Sequence, residues 1–361
     1  MRMLRSTLRA AVIAGCAALA LPAVASAAQR PQRLSLVAPL GTIVNDRVLA
    51  HPLRLTAAQK PPPGATAAYA TPDGQTVDVT FAPGYTPDPA VAQSYVDYLG
   101  SLPHGSELAK LHVLLATPED VLKRCGGNDG TLACYTAANH TMTVPGQQVD
   151  SNTGVTTNYV IAHEYGHHIA AFRDNPPFET LDYGPKYWAS YGMVCNRSIE
   201  RKLFPGDERG NYLRNPGEAW ADTYAHLAFP DVSWQYSALL RPDATGDALA
   251  RKDVLTPWTK SVSKTFKGTF TATSSNARRF SFMLTLDGTM TVQLKGPAGT
   301  NYDLALLSGG KVEDRTRTAG SGDRISYPDG ACRQRPSETI TVSVARRHGS
   351  GPFTVKVSYA G

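Results

Sequence analysis

The spacing of apolar residues changes period along this 361-residue chain, and the change marks its organisation. Over 157–172, Val160, Ile161, Ile169 and Phe172 recur at helical spacing, and Pro176-Pro177 stops the run, which predicts one buried helix. Upstream, 76–81 alternates like a strand, 88–102 places Val91, Tyr95, Tyr98 and Leu99 on one side of a helix, and 110–116 reads as a buried strand. At 215–227, Asn215 is a natural N-cap with Pro216 at the first helical position, so a second site helix begins there. From about Lys264 a period of two takes over. It runs through Phe280/Phe282/Leu284/Leu286, Met290/Val292/Leu294, Tyr302/Leu304/Leu306, Ile340/Val342/Val344 and Phe353/Val355/Val357/Tyr359, with glycine-rich turns between. The pattern predicts an α+β domain over 75–260, followed by an all-β sandwich of about eight strands over 264–361.

The first residues read as a targeting segment. Arg2, Arg5 and Arg9 precede an apolar run at 10–24 and the small residues Ala25-Ser26-Ala27, the pattern of a secretory signal peptide over 1–27. Ile13-Ala14-Gly15-Cys16 has the form of a lipoprotein box, but the longer apolar run follows the cysteine, the wrong order for a lipid anchor. Residues 28–74 are rich in Pro, Ala, Gly and Thr and serve equally as linker, surface wrap or removable pro-segment. No later segment is apolar enough to span a membrane. A secreted monomer is expected.

Charge narrows the partners. The chain carries 36 basic and 30 acidic residues, and setting aside the three leader arginines leaves 33 against 30. With no basic run to track phosphates, nucleic acid is not implied. Cys125, Cys134, Cys195 and Cys332 remain outside the leader, an even number in an exported chain, which points to disulfides. The favoured pairing is Cys125 with Cys134 and Cys195 with Cys332.

Candidate chemistry centres on H-E-Y-G-H at 163–167. His163 and His167, four apart, share a helix face and can reach one cation, while Glu164 can reach a water bound to it. H-E-x-x-H arises by chance in about one chain in a hundred of this length, so the surroundings decide. His168 points about 100° away round the helix and is not expected to be a ligand. The metzincin extension needs a glycine and a third histidine where this chain has Ala170 and Arg173, which excludes that class. Asp174 lies at a frayed helix end; Glu218 and Asp222, four apart on the predicted 215–227 helix, are the better candidates. The segment 139–145, β-prone and ended by a proline, is the candidate edge strand for holding an extended substrate, with His140 at its start as a surface residue.

H-E-x-x-H followed by E-x-x-x-D resembles the gluzincin zinc metallopeptidases. The resemblance implies a zincin-like domain, one catalytic Zn2+ on His163, His167 and Glu218, Glu164 as general base, and Asp222 hydrogen-bonded to His163. The gap between His167 and Glu218 exceeds that of thermolysin-like enzymes, so the resemblance is to the clan. A further donor for the oxyanion is expected from Tyr212, with Tyr183, Tyr187, Tyr191 and His226 as competitors. Residues 289–306 and 349–358 resemble bacterial pre-peptidase C-terminal domains, jelly-roll-like appendages of secreted proteases. That implies a possible Ca2+ site, for which Asp303 is the nominated residue. The expectation is a secreted zinc endopeptidase acting on peptide or protein substrates. The alternative is an exported binding or adhesion protein with a structural metal site.

Overall fold

A computed structural model describes residues 46–50, 66–126, 131–146, 155–327 and 332–361. The signal-peptide reading of 1–27, Cys16 and the stretches 28–45 and 51–65 lie outside the described residues. In chain order the elements are β1 (Val48–Leu49), β2 (Thr66–Ala70), β3 (Thr76–Phe81), α1 (Pro89–Ser101), β4 (His112–Ala116), α2 (Pro118–Cys125), β5 (Cys134–Thr136), β6 (Thr141–Pro145) and α3 (Thr157–Ala171). There follow α4 (Thr180–Tyr183), α5 (Lys186–Tyr191), α6 (Val194–Ile199), α7 (Pro216–His226) and α8 (Ala244–Leu255), then strands only. These are β7 (Val262–Phe270), β8 (Ala277–Leu284), β9 (Met290–Lys295), β10 (Asn301–Ser308), β11 (Lys311–Thr316), β12 (Arg324–Tyr327), β13 (Glu338–His348) and β14 (Gly351–Tyr359).

The first half is a mixed six-stranded sheet, ordered β1-β5-β6-β4-β3-β2, packed with helices. It begins upstream of residue 75: both Val48–Leu49 and Thr66–Ala70 pair into the sheet, so part of the stretch read as a linker is structural. The expected edge strand is corrected too. β6 lies inside the sheet, parallel to β4 and antiparallel to β5, and β5 takes the place beside it. The reason is a tight hairpin: Ala137–Asn139 form a 3-10 turn, His140 adopts φ 54°, and the chain folds back through a strand of three residues. Three residues are too few for a periodicity to show.

The helices obey their local chemistry. Thr156 caps α3, its hydroxyl accepting from the Tyr159 N–H at 3.2 Å. Asn215 caps α7, its Oδ1 accepting from the Gly217 N–H at 3.0 Å, with Pro216 at the first position. Both helices are buried on nearly every side, and one core joins them to the sheet through Val113, Leu115, Met142, Val144, Ile161, Ile169 and Trp220.

The second half is two four-stranded antiparallel sheets, β11-β10-β13-β8 and β12-β9-β14-β7, with eight strands as the alternation predicts. Their shared core contains Val292, Leu294, Tyr302, Leu304, Leu306, Val342, Val344, Val355 and Val357, every second residue of the strands that supply them. Two disulfides form. Cys125–Cys134 ties the end of α2 to β5, and Cys195–Cys332 ties α6 to the β-sheet half across 137 residues, their Cα atoms 5.6 Å and 5.3 Å apart.

Candidate metal centre

The site is assembled by the crossing of α3 and α7. Gly166 makes the crossing close, since a Cβ there would lie 2.7 Å from the Ala221 Cα. Trp220 Nε1 donates to the Gly166 carbonyl at 2.8 Å and fixes the rotation of α7 against α3. Histidines 163 and 167 on one helix therefore face Glu218 on the other.

Four buried side chains converge: Asp46, His163, His167 and Glu218. Glu218 Oε2 lies 3.3 Å from His163 Nε2 and 3.5 Å from His167 Nε2, and Asp46 Oδ2 lies 3.3 Å and 3.2 Å from the same two nitrogens. A tetrahedral ion with ligand bonds of about 2.0–2.2 Å separates its donors by about 3.3–3.5 Å. The four spacings match that geometry, so the group can hold a metal ion. Among the described residues it is the one such grouping of three or more His, Cys, Asp or Glu donors.

Around it, Asp222 Oδ1 sits 3.5 Å from His163 Nδ1 and accepts a hydrogen bond from the Tyr159 hydroxyl. The Tyr212 hydroxyl donates to Asp46 Oδ1 and lies 3.1 Å from Glu218 Oε2. Tyr236 stacks on His163 with ring centres 6.4 Å apart, and its hydroxyl reaches that of Tyr212 at 3.3 Å. Glu164 is buried against this group, and neither carboxylate oxygen has a hydrogen-bond partner among the described residues.

The electrostatics follow from burial. Glu164 is pushed well above the usual carboxylate range, first by burial and then by Asp46 and Glu218. Burial alone would lower His163 and His167. The facing carboxylates outweigh it, raising His163 well above the usual histidine value and His167 to about 10. Glu208, behind the site, is pushed up to about 9 by burial, Glu218 and Asp46. A cation held here would supply the positive charge that deprotonated imidazoles leave the carboxylates without.

Of the other expected residues, His168 points away: its Nε2 meets the Glu107 carbonyl at 2.8 Å, and its Nδ1 lies 3.2 Å from the Tyr135 hydroxyl. His140 shares that Tyr135 hydroxyl at 3.0 Å. Tyr191 bonds Asp243, His226 lies 3.8 Å from Asp247, Tyr183 stacks on Phe178, and Lys252 covers the Tyr187 ring, so none of the four joins the donors. Asp303, nominated for Ca2+, is taken by guanidinium groups, with Arg347 at 2.7 Å and Arg317 at 3.8 Å.

No protein-family model matches the chain, and no curated protein matches it. Among solved structures it is similar to Aeromonas hydrophila PliG, a periplasmic lysozyme inhibitor of g-type lysozyme. That likeness has 14% identity and a TM-score of 0.18, and it covers 27% of this chain and 85% of that one, too slight to bear on fold or function. No helix among the described residues is long and apolar enough to cross a membrane.

Sequence reasoning missed Asp46, Tyr236 and Glu208. Asp46 stands in a stretch whose composition reads as linker, and nothing in a linker's spacing marks one aspartate. Tyr236 and Glu208 lie on connecting loops, where neither helical nor strand periodicity operates.

Proposed function

We propose that this chain is an exported zinc-dependent peptidase whose site is gluzincin-like, on a zincin-like domain followed by a jelly-roll-like sandwich. One observation carries the reading: Glu164 is a buried acid whose carboxylate oxygens have no partner among the described residues, next to His163 on the helix that supplies two of the four metal-competent donors. A helix gains nothing in stability from an unpartnered buried carboxyl, which costs about 1–3 kcal/mol, whereas hydrolysis requires a proton acceptor there.

Zinc bound at the site would lower the pKa of a coordinated water and polarise a scissile carbonyl. His163, His167 and Glu218 would hold it, and the Asp222 carboxylate orients the His163 ring through Nδ1. Glu164 takes the proton of the attacking water and returns it to the leaving amine. The Tyr212 hydroxyl, anchored beside Glu218, is the donor for the developing oxyanion. The two disulfides fit an oxidising compartment.

A second reading, an exported binding or adhesion protein with a structural metal, is favoured by Asp46. Four protein donors close a site, as structural zinc centres are closed. Metal analysis and a casein or peptide-library assay separate the two. The peptidase reading expects one zinc per chain and, wherever the site is accessible to substrate, cleavage lowered about 10²–10⁴-fold by Glu164→Gln. Stoichiometric zinc without cleavage, even in chains whose N-terminal segment has been displaced, would leave the structural site.

A further inference from the structure

The segment Asp46–Ala50 is held by contacts that suit an extended peptide. The Arg47 carbonyl accepts from the Tyr135 N–H at 3.1 Å and the Ala50 carbonyl from the Ala138 N–H at 3.1 Å, so β1 adds to β5 as a parallel strand. The Val48 N–H faces the other way and reaches Glu208 Oε2 at 3.5 Å. The Leu49 side chain fills a pocket of Ala82, Ala116, Val121, Cys125 and Cys134. Arg47 Nη1 donates to the Cys125 and Gly126 carbonyls at the end of α2, where a cation complements the helix dipole. The Asp46 carboxylate ends the run in the metal centre, one oxygen against both His Nε2 atoms and the other on the Tyr212 hydroxyl.

We infer that this is the substrate groove occupied from within. Asp46–Ala50 is an internal occupant, Asp46 is the latch that closes the metal's fourth position, and the β5 edge with Glu208 is the surface that binds an extended peptide in the open enzyme. The inference rests on the peptidase reading and names its substrate surface and regulation. Three features support it. The Asp46 carboxylate bridges the metal donors and Tyr212, the two anchors that a tetrahedral oxyanion requires. It neutralises the single positive charge that two imidazoles and one carboxylate would leave on a divalent ion. It is also the one donor that stands off the helices, two residues before the two-residue edge strand Val48–Leu49, whereas the other three stand on helices locked at Gly166 and Ala221. With Asp46 in place the position that a zinc-bound water would take beside Glu164 is filled by a carboxylate.

The experiment uses the full chain loaded with Co2+, the wild type beside Asp46→Ala and Leu49→Asp. The second variant unseats β1 while leaving every donor intact. Acetohydroxamate binding is read from the cobalt absorption spectrum, and cleavage of a peptide library is measured on the zinc forms. If the groove is open in a few per cent of molecules or fewer, both variants should bind hydroxamate about 10–100-fold more tightly than wild type while keeping one metal per chain. The inference is overturned if wild type binds hydroxamate as tightly as the variants, or if Asp46→Ala loses its metal and Leu49→Asp gains no hydroxamate binding. Failure of the peptidase reading looks different: tighter hydroxamate binding in both variants with no peptide cleaved keeps the latch and removes the peptidase. Equal cleavage by all three proteins, with equal hydroxamate binding, removes only the latch.

Discussion

Gly166 and Ala221 are in contact backbone to backbone, and that contact sets the distance between the two histidines and Glu218. An added methyl at 166 would stand 2.7 Å from the Ala221 Cα, 3.1 Å from its carbonyl oxygen and 3.3 Å from its Cβ, so α7 has to retreat. Gly166→Ala should cost about 1–3 kcal/mol of stability through overpacking. It should also weaken zinc binding, because Glu218 retreats with its helix. Calorimetry and a competitive zinc titration on the same variant check both, and unchanged zinc affinity would separate the crossing from the site.

Glu164→Gln should leave zinc content intact and lower peptide cleavage by about 10²–10⁴-fold, the ordinary worth of a general base. The assay belongs in an Asp46→Ala background, where the groove is open. Cleavage unaffected by the amide would remove Glu164 from the chemistry.

Asp222 acts through His163. Removing its carboxylate with Asp222→Ala should reduce zinc affinity by about 10–100-fold, as lost partners of metal-bound histidines do. Tyr159→Phe, which deletes the hydroxyl bonded to the same carboxylate, should produce a smaller loss of the same kind. Equal zinc affinity in all three proteins would show that the 3.5 Å approach to Nδ1 is incidental.

Stripping the metal should lower stability as well as activity. Two histidines and two carboxylates then share a dry site, and zinc at 100 times its dissociation constant should restore about 2.7 kcal/mol. Thermal melts of chelated and reconstituted protein give the number. A chelator-insensitive melting temperature would mean that no ion resides there.

Lys186 gives a pH signature remote from the site. It is 1% exposed, donates to the Pro176 and Asp287 carbonyls at 3.0 and 2.9 Å, and burial lowers it from 10.5 to about 8 against the pull of Asp287, Asp253 and Asp174. Below about pH 8 both folded and unfolded chains hold the proton, and the folded state bears the cost of the buried charge. Between about 8 and 10.5 only the unfolded chain keeps it, so stability rises with pH and then levels, by about 3 kcal/mol in all. Lys186→Met should abolish that rise in denaturant titrations across the same range, and a parallel rise in the variant would assign it to other groups.

Much of this was legible in the chain. The 157–172 helix, the Asn215 cap and the alternation after Lys264 rest on local chemistry, which neighbours in sequence determine, and the described elements match them closely. His163, His167 and Glu218 were visible because helical spacing turns sequence separation into a shared face. β5 was not, since three residues carry no period, and the run beside it was mistaken for the edge. Asp46 was not, because its place depends on a pairing with Tyr135 nearly ninety residues on, a register that no local pattern encodes.

The seam around Lys186 has a consequence for anyone wishing to move the β-sheet half elsewhere. Asp287 gives its carbonyl to Lys186, its backbone N–H to Ser190 Oγ and its carboxylate to Arg333, and Arg333 reaches the Ser190 carbonyl in turn. Cys195–Cys332 lies beside them. Cutting the chain near residue 260 would leave the products joined by Cys195–Cys332, and separating them would break every hydrogen bond between Lys186 or Ser190 and Asp287 or Arg333 and open that buried seam to water. The strands after Val262 are therefore not a portable cassette, and the two halves should be lost and regained in a single melting transition.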